Sequence, residues 1–148
     1  MADPPHFRFL NEVGIIDQLA SRLFERVMPD DLTLPQFIVL NHFVRLGGAW
    51  SPVRLANAMQ VTKATMTNTL HRLETKGYIE VAPDLKDTRA KIVTLTEGGR
   101  AARERAIAAL APSLERLARA VPASSIEAAL PALAAVRVWL DAERDGPS

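Results

Sequence analysis

There is no cysteine among the 148 residues, which excludes a disulfide scaffold, a thiolate metal site, a cysteine nucleophile and a thiol redox sensor. Long apolar runs are missing too. The best stretch, Ala128–Val136, contains Pro131 and is closed by Arg137, short of the roughly 18–20 residues of a membrane span. The amino-terminal MADPPHFRFLNE carries acids and prolines where a secretory signal needs a basic start and an apolar centre. The expectation is a soluble, cytoplasmic protein with no membrane partner. Motifs of catalysis and cofactor binding are equally scarce: no GxGxxG, phosphate-binding loop, GxSxG or HExxH occurs. His6, His42 and His71 sit on separate segments without zinc-like spacing. No cofactor, no metal and no enzymatic activity are expected.

What is present is a globular composition, 48% hydrophobic and 24% charged, at a length that suits one domain spanning 1–148. Net charge is only +1, but it is unevenly placed. Residues 1–44 hold three arginines against six acids, residues 45–91 hold eight basic residues against four acids, and every lysine lies in that middle segment. Such segregation points to a nucleic-acid surface; on charge alone, a solvated face fits as well.

Hydrophobic periodicity marks six helices and one hairpin. From Phe7 to Met28, the residues Val13, Ile16, Ala20, Leu23 and Val27 recur at three and four positions and make one apolar stripe. Thr33-Leu34-Pro35-Gln36 is a capping box opening a second helix, with Leu34, Phe37, Leu40 and Val44 inward and Gly47-Gly48 at its end. Ser51-Pro52 opens a short third helix with Leu55, Ala56 and Met59 inward. Thr62 caps a fourth, Lys63–Lys76, with Met66, Leu70 and Leu73 as its core stripe and Gly77 as its stop. These two form a helix-turn-helix. Tyr78–Ala82 and Ala90–Leu95 then read as strands around a polar turn, Pro83–Thr88. Thr96 caps a fifth helix, where Gly98-Gly99 cost stability. Ile107, Leu110, Leu114, Leu117 and Val121 form a helix-pairing seam, and Pro112 within it is expected to kink or break the helix. Ser124-Ser125-Ile126-Glu127 reads as a capping box for the last helix, whose apolar face is Ile126, Leu130, Leu133 and Leu140.

In this order the segments resemble the MarR family of winged helix-turn-helix transcriptional regulators, from about Leu10 to Leu140. LTLPQFIVL (Leu32–Leu40) is similar to the opening of that family's second helix. VRLANAMQVTKATMTNTLHRLETKGYIEV (Val53–Val81) is similar to its helix-turn-helix, and DTRAKIVTLTEGGR (Asp87–Arg100) to its wing and the start of its long helix. The resemblance implies a mostly α fold with a small β-hairpin wing (α+β). It places a winged helix-turn-helix at 33–95 and dimerisation helices at 7–28 and 97–141. It further implies a homodimeric, ligand-responsive repressor on double-stranded DNA with a pseudo-palindromic operator, and a small aromatic effector. Two departures stand out: Thr88 replaces the first of two adjacent arginines common in the wing, and Pro112 and Pro131 fall in the dimerisation helices. A rival reading is a small-molecule- or protein-binding helical module of the same fold without DNA binding.

An inserted helix offers its amino-terminal half to base edges and its flanks to phosphates. With Met66, Leu70 and Leu73 inward, the outward set is Lys63, Ala64, Thr65, Thr67, Asn68 and His71. Asn68 suits adenine N6 and N7, and Thr65 or Ala64 a thymine methyl. Thr67, Lys63, Arg72, Ser51 and Arg54 suit phosphates. Taken singly, each reads equally well as an ordinary surface residue. Arg89, steadied by Asp87, suits a narrow minor groove; the plain alternative is a surface salt bridge. Phe37, Asn41 and His42 are the candidate effector-site residues.

Overall fold

A computed structural model describes residues 2–87 and 89–146; Thr88, where the wing departs from the family pattern, lies outside them. The elements are α1 (Pro5–Val27), α2 (Leu34–Leu46), α3 (Pro52–Ala58), α4 (Lys63–Thr75), β1 (Ile79–Pro83), β2 (Lys91–Leu95), α5 (Glu97–Ala120) and α6 (Ala123–Arg144). The chain divides into two units between Leu110 and Ala111, and α5 runs from one into the other.

In the first unit, local chemistry sets most boundaries. Thr33 and Gln36 make the reciprocal capping box at the start of α2. The Ser51 hydroxyl accepts from the Arg54 amide and starts α3, and Thr62 does the same for Thr65 at the start of α4. Thr96 Oγ1 accepts from the Gly99 amide at 3.0 Å and donates to Gly77 O at 2.7 Å, so one side chain caps α5 and ties it to the end of α4. Gly77 ends α4 at φ +76°, a left-handed exit that glycine adopts without Cβ strain.

The core gathers Phe37, Val39, Leu40 and Phe43 of α2, Leu55 of α3, Met66, Leu70 and Leu73 of α4, Ile79, Val93, and Ala102 and Ala106 of α5. The buried face of α2 is wider than its three- and four-residue repeat predicts: Gln36, Val39, His42 and Phe43 are buried, while Leu34 and Val44 are only half-buried. Helix α2 is covered on several sides, so no single stripe describes it.

The hairpin pairs Ile79 with Leu95 through Pro83 with Lys91 in antiparallel register, one residue later at its start than Tyr78. It also has a third member. Trp50 exchanges both backbone hydrogen bonds with Val93, at 3.0 and 2.8 Å. A single bridging residue has no alternation to detect, which is why periodicity misses it.

In the second unit, the expected capping box at Ser124 is not formed. Helix α6 begins at Ala123 with Pro122 as its cap position and no side-chain cap; the amides of Ser125 and Ile126 turn back onto Pro122 O. The fixed φ of Pro122 starts the helix before the serines reach a capping position. Helix α5 continues through Pro112 without breaking; the proline removes one donor, and the bonds on either side hold the ladder. Leu114 and Leu117 of α5 and Leu130, Leu133, Val138, Trp139 and Leu140 of α6 are exposed. Among the described residues, α6 is long and apolar enough by length and composition to cross a membrane, contrary to the reading from continuous runs. Its alanines raise the apolarity without making a run, and Glu127 and Arg137 lie in the same stretch.

Candidate nucleic-acid interface

Helix α4 buries Met66, Thr69, Leu70 and Leu73. Opposite them Ala64, Asn68, His71 and Thr75 recur at four, three and four residues and form its outermost ridge, all exposed. Lys63 and Thr67 share one flank, and Thr65 and Arg72 the other. Every outward residue named from the sequence is exposed, and they split by surroundings. Asn68, His71 and Arg72 border an open groove against Asp31, Thr33 and Gln36 at the start of α2. Thr65 is drawn into the helix cap, its hydroxyl accepting from Thr62 Oγ1 at 2.9 Å.

The remaining positions lie nearby on other elements. Ser51 is committed as a cap acceptor, but its hydroxyl proton remains available to a phosphate. The Arg54 guanidinium sits 4.3 Å over the Trp50 ring, a cation–π contact that fixes an exposed charge at the cost of some reach. At the hairpin tip Arg89 is 92% exposed, and Asp87 Oδ1 accepts from its amide at 3.1 Å and from Nε at 3.4 Å. Lys86 N donates to Asp84 Oδ1, and Asp84 N to Ala90 O. The turn is therefore internally braced, and the guanidinium leaves it toward solvent. So exposed an ion pair adds little stability.

Phe37, Asn41 and His42 do not converge on one cavity. Phe37 is buried against Phe24 of α1, with ring centroids 5.5 Å apart. Asn41 Oδ1 accepts from Nε and Nη2 of Arg103 on α5, at 3.2 and 3.1 Å. His42 is 9% exposed and meets Trp50 edge-on at 4.4 Å; its Nε2 has no hydrogen-bond partner. Burial holds its pKa below the ordinary 6.5, helped by the positive charges of Arg45 and Arg54.

Residues outside the expected set also shape this face. Lys76, closing α4, donates to Asp30 O, Asp31 O and Gln36 Oε1. Arg105 Nε lies 2.9 Å from Asp30 Oδ2, a bond that raises the Arg105 pKa. Nothing local in the sequence marks either; both depend on elements about 45 and 75 residues away.

The MarR family's sequence pattern matches residues 30–90, spanning α2 to the hairpin tip. The multiple antibiotic resistance protein MarR of Escherichia coli (strain K12) is 36% identical over 90 residues, covering 60% of this chain and 62% of that protein. The chain thus matches about three fifths of the length of such curated relatives. The crystal structure of wild-type MarR from E. coli in its apo form superimposes with a TM-score of 0.74 at 28% identity, covering 92% of this chain and 98% of that one. A mutant of the same protein, solved with operator DNA, gives a TM-score of 0.68 at 29% identity over 85% and 91% of the two chains. The pattern match falls on the helix-turn-helix and hairpin, and the structural match extends over nearly all the elements. The chain is thus similar to MarR family regulators, in sequence from α2 to the hairpin tip and in fold over most of its length.

Proposed function

We propose that the chain is a homodimeric, sequence-specific DNA-binding transcriptional regulator, a ligand-responsive repressor of the cytoplasm. The observation that carries this reading is the outer ridge of α4. It presents an amide, an imidazole and small side chains, flanked by Lys63 and Arg72, beside a braced hairpin that projects Arg89. Uncharged hydrogen-bonding groups suit base edges, and flanking cations suit phosphates. In this reading Asn68 reads adenine, Ala64 meets a thymine methyl, and Lys63, Thr67, Arg72, Ser51 and Arg54 hold the backbone. Arg89, set by Asp87, enters the minor groove. Support comes from the structural match to a relative solved with operator DNA. Two relatives are named as a transcriptional activatory protein and an HTH-type transcriptional regulator, which favours a binding protein over an enzyme.

The symmetric partner is a second copy. Apolar side chains of α1 (Phe7, Leu10, Ile16, Leu19), of α5 and of α6 are exposed in the single chain, more large apolar side chains than a monomer ordinarily leaves to water. Control does not pass through a thiol, since the chain has none. A small aromatic effector near α2 and α5 that engages Asn41 must compete with Arg103 for Asn41 Oδ1. A gel shift against the region upstream of the chain's own gene tests the reading. A discrete complex that resists a large excess of random duplex supports it, and competition at equal concentration contradicts it.

A further inference from the structure

Lys76 is a basic residue on the DNA-facing helix that has no proton to spare for DNA. An ammonium carries three N–H donors, and here three acceptors take them: Asp31 O at 2.9 Å, Asp30 O at 3.3 Å and Gln36 Oε1 at 2.8 Å. Two acceptors are carbonyls of the turn between α1 and α2, and the third belongs to the capping box of α2. That turn is itself unusual. Asp30 and Asp31 are consecutive non-glycine residues at φ +60° and +51°, a left-handed conformation that a Cβ disfavours and that persists only when surroundings over-determine it. The surroundings are Lys76 and, from α5, Arg105, whose Nε lies 2.9 Å from Asp30 Oδ2. Three elements therefore meet on one strained turn.

We infer that Lys76 is a positioning residue that sets the tilt of the recognition helix α4 from the Asp30–Asp31 turn, with Arg105 tying that turn to α5. The inference rests on the DNA-reading role of α4. The lever arm explains its effect. Lys76 stands about 12 Å along the helix from Asn68, so a tilt of roughly 5° at Lys76 displaces Asn68 by about 1 Å. A base-edge hydrogen bond does not survive such a displacement, whereas a long basic side chain follows a phosphate through it. Lys76 thus acts on reading and not on holding.

The test uses the full chain with two fluorescent duplexes: one enriched from a random pool by the wild-type protein, the other a scramble of equal composition. Lys76→Met is expected to weaken the enriched duplex at least tenfold, leave the scramble within twofold and leave the salt slope unchanged. Lys76→Arg restores most of the loss. Equal loss on both duplexes with a slope lowered by about one per subunit makes Lys76 a phosphate ligand and overturns the proposal, as does no change on either. Arg105→Gln cuts only an exposed pair and keeps the test open if Lys76→Met does not fold. It is expected to weaken the enriched duplex two- to fivefold with no effect on the scramble, and an unchanged enriched-duplex affinity overturns the proposal. If the wild type enriches no sequence, the DNA-reading role falls and the proposal with it, before any variant is made.

Discussion

Asn68 and Arg89 are both exposed, yet they face different chemistry: one lies on the outer ridge of α4, the other leaves the hairpin tip. Asn68→Ala is expected to cost about 1–3 kcal/mol on the preferred duplex and little on random DNA. Arg89→Ala lowers both affinities and reduces the salt slope by about one per subunit. Fluorescence anisotropy across a salt series separates them; equal losses on both duplexes for Asn68→Ala remove it from the readers. The adjacent glycines Gly98 and Gly99 also part company. A Cβ at Gly99 would overlap the Tyr78 carbonyl and Leu95, whereas at Gly98 it would meet Gly77 O at an ordinary 3.4 Å. Gly99→Ala should therefore destabilise by roughly 1–3 kcal/mol, and Gly98→Ala should be neutral or stabilise by up to about 1 kcal/mol, as read from urea midpoints. His42 adds a pH dependence. Its folded pKa lies below the unfolded 6.5, so between these values the unfolded chain binds more protons and stability falls as pH falls. Above 6.5 it contributes no slope, and below the folded value the penalty is constant. His42→Phe should flatten the acid side of a plot of urea midpoint against pH; an unchanged slope excludes this histidine as its source.

Among the elements, legibility followed locality. The caps at Thr33, Ser51, Thr62 and Thr96 were readable because each is a side-chain-to-amide bond three residues long. Ser124 had the same pattern and failed because Pro122 had already started the helix. The core stripe of α4 was readable since one face is covered, and the wider burial of α2 was not, since several faces are. The Trp50–Val93 bridge, the Lys76 anchor and the Arg103–Asn41 pair are meetings of distant segments and leave no periodic trace. For the candidate interface, the outward set followed from the inward one; the bracing of Arg54 by Trp50 and the separate surroundings of Phe37, Asn41 and His42 did not. Thr62 offers an element-scale check. Thr62→Ala should cost about 1 kcal/mol of stability, measured by urea unfolding, since its hydroxyl satisfies the Thr65 amide.

For the whole molecule, the apolar side chains exposed on α1 and, in the second unit, on α5 and α6 are the surfaces that the proposed dimer would bury. Leu114→Glu or Leu117→Glu puts a charge on the exposed seam and should shift the protein toward monomer at low micromolar concentration by light scattering; a wild-type monomer mass there contradicts the assembly. A two-fold dimer brings two recognition helices to successive major grooves roughly 10 base pairs apart. Selection from a random duplex pool, followed by the mass of the complex on the enriched sequence, tests this most directly. The expected result is a two-fold-symmetric site with half-sites about one helical turn apart, bound by one dimer. Enrichment of no sequence, or of a single unpaired half-site bound by a monomer, would contradict it.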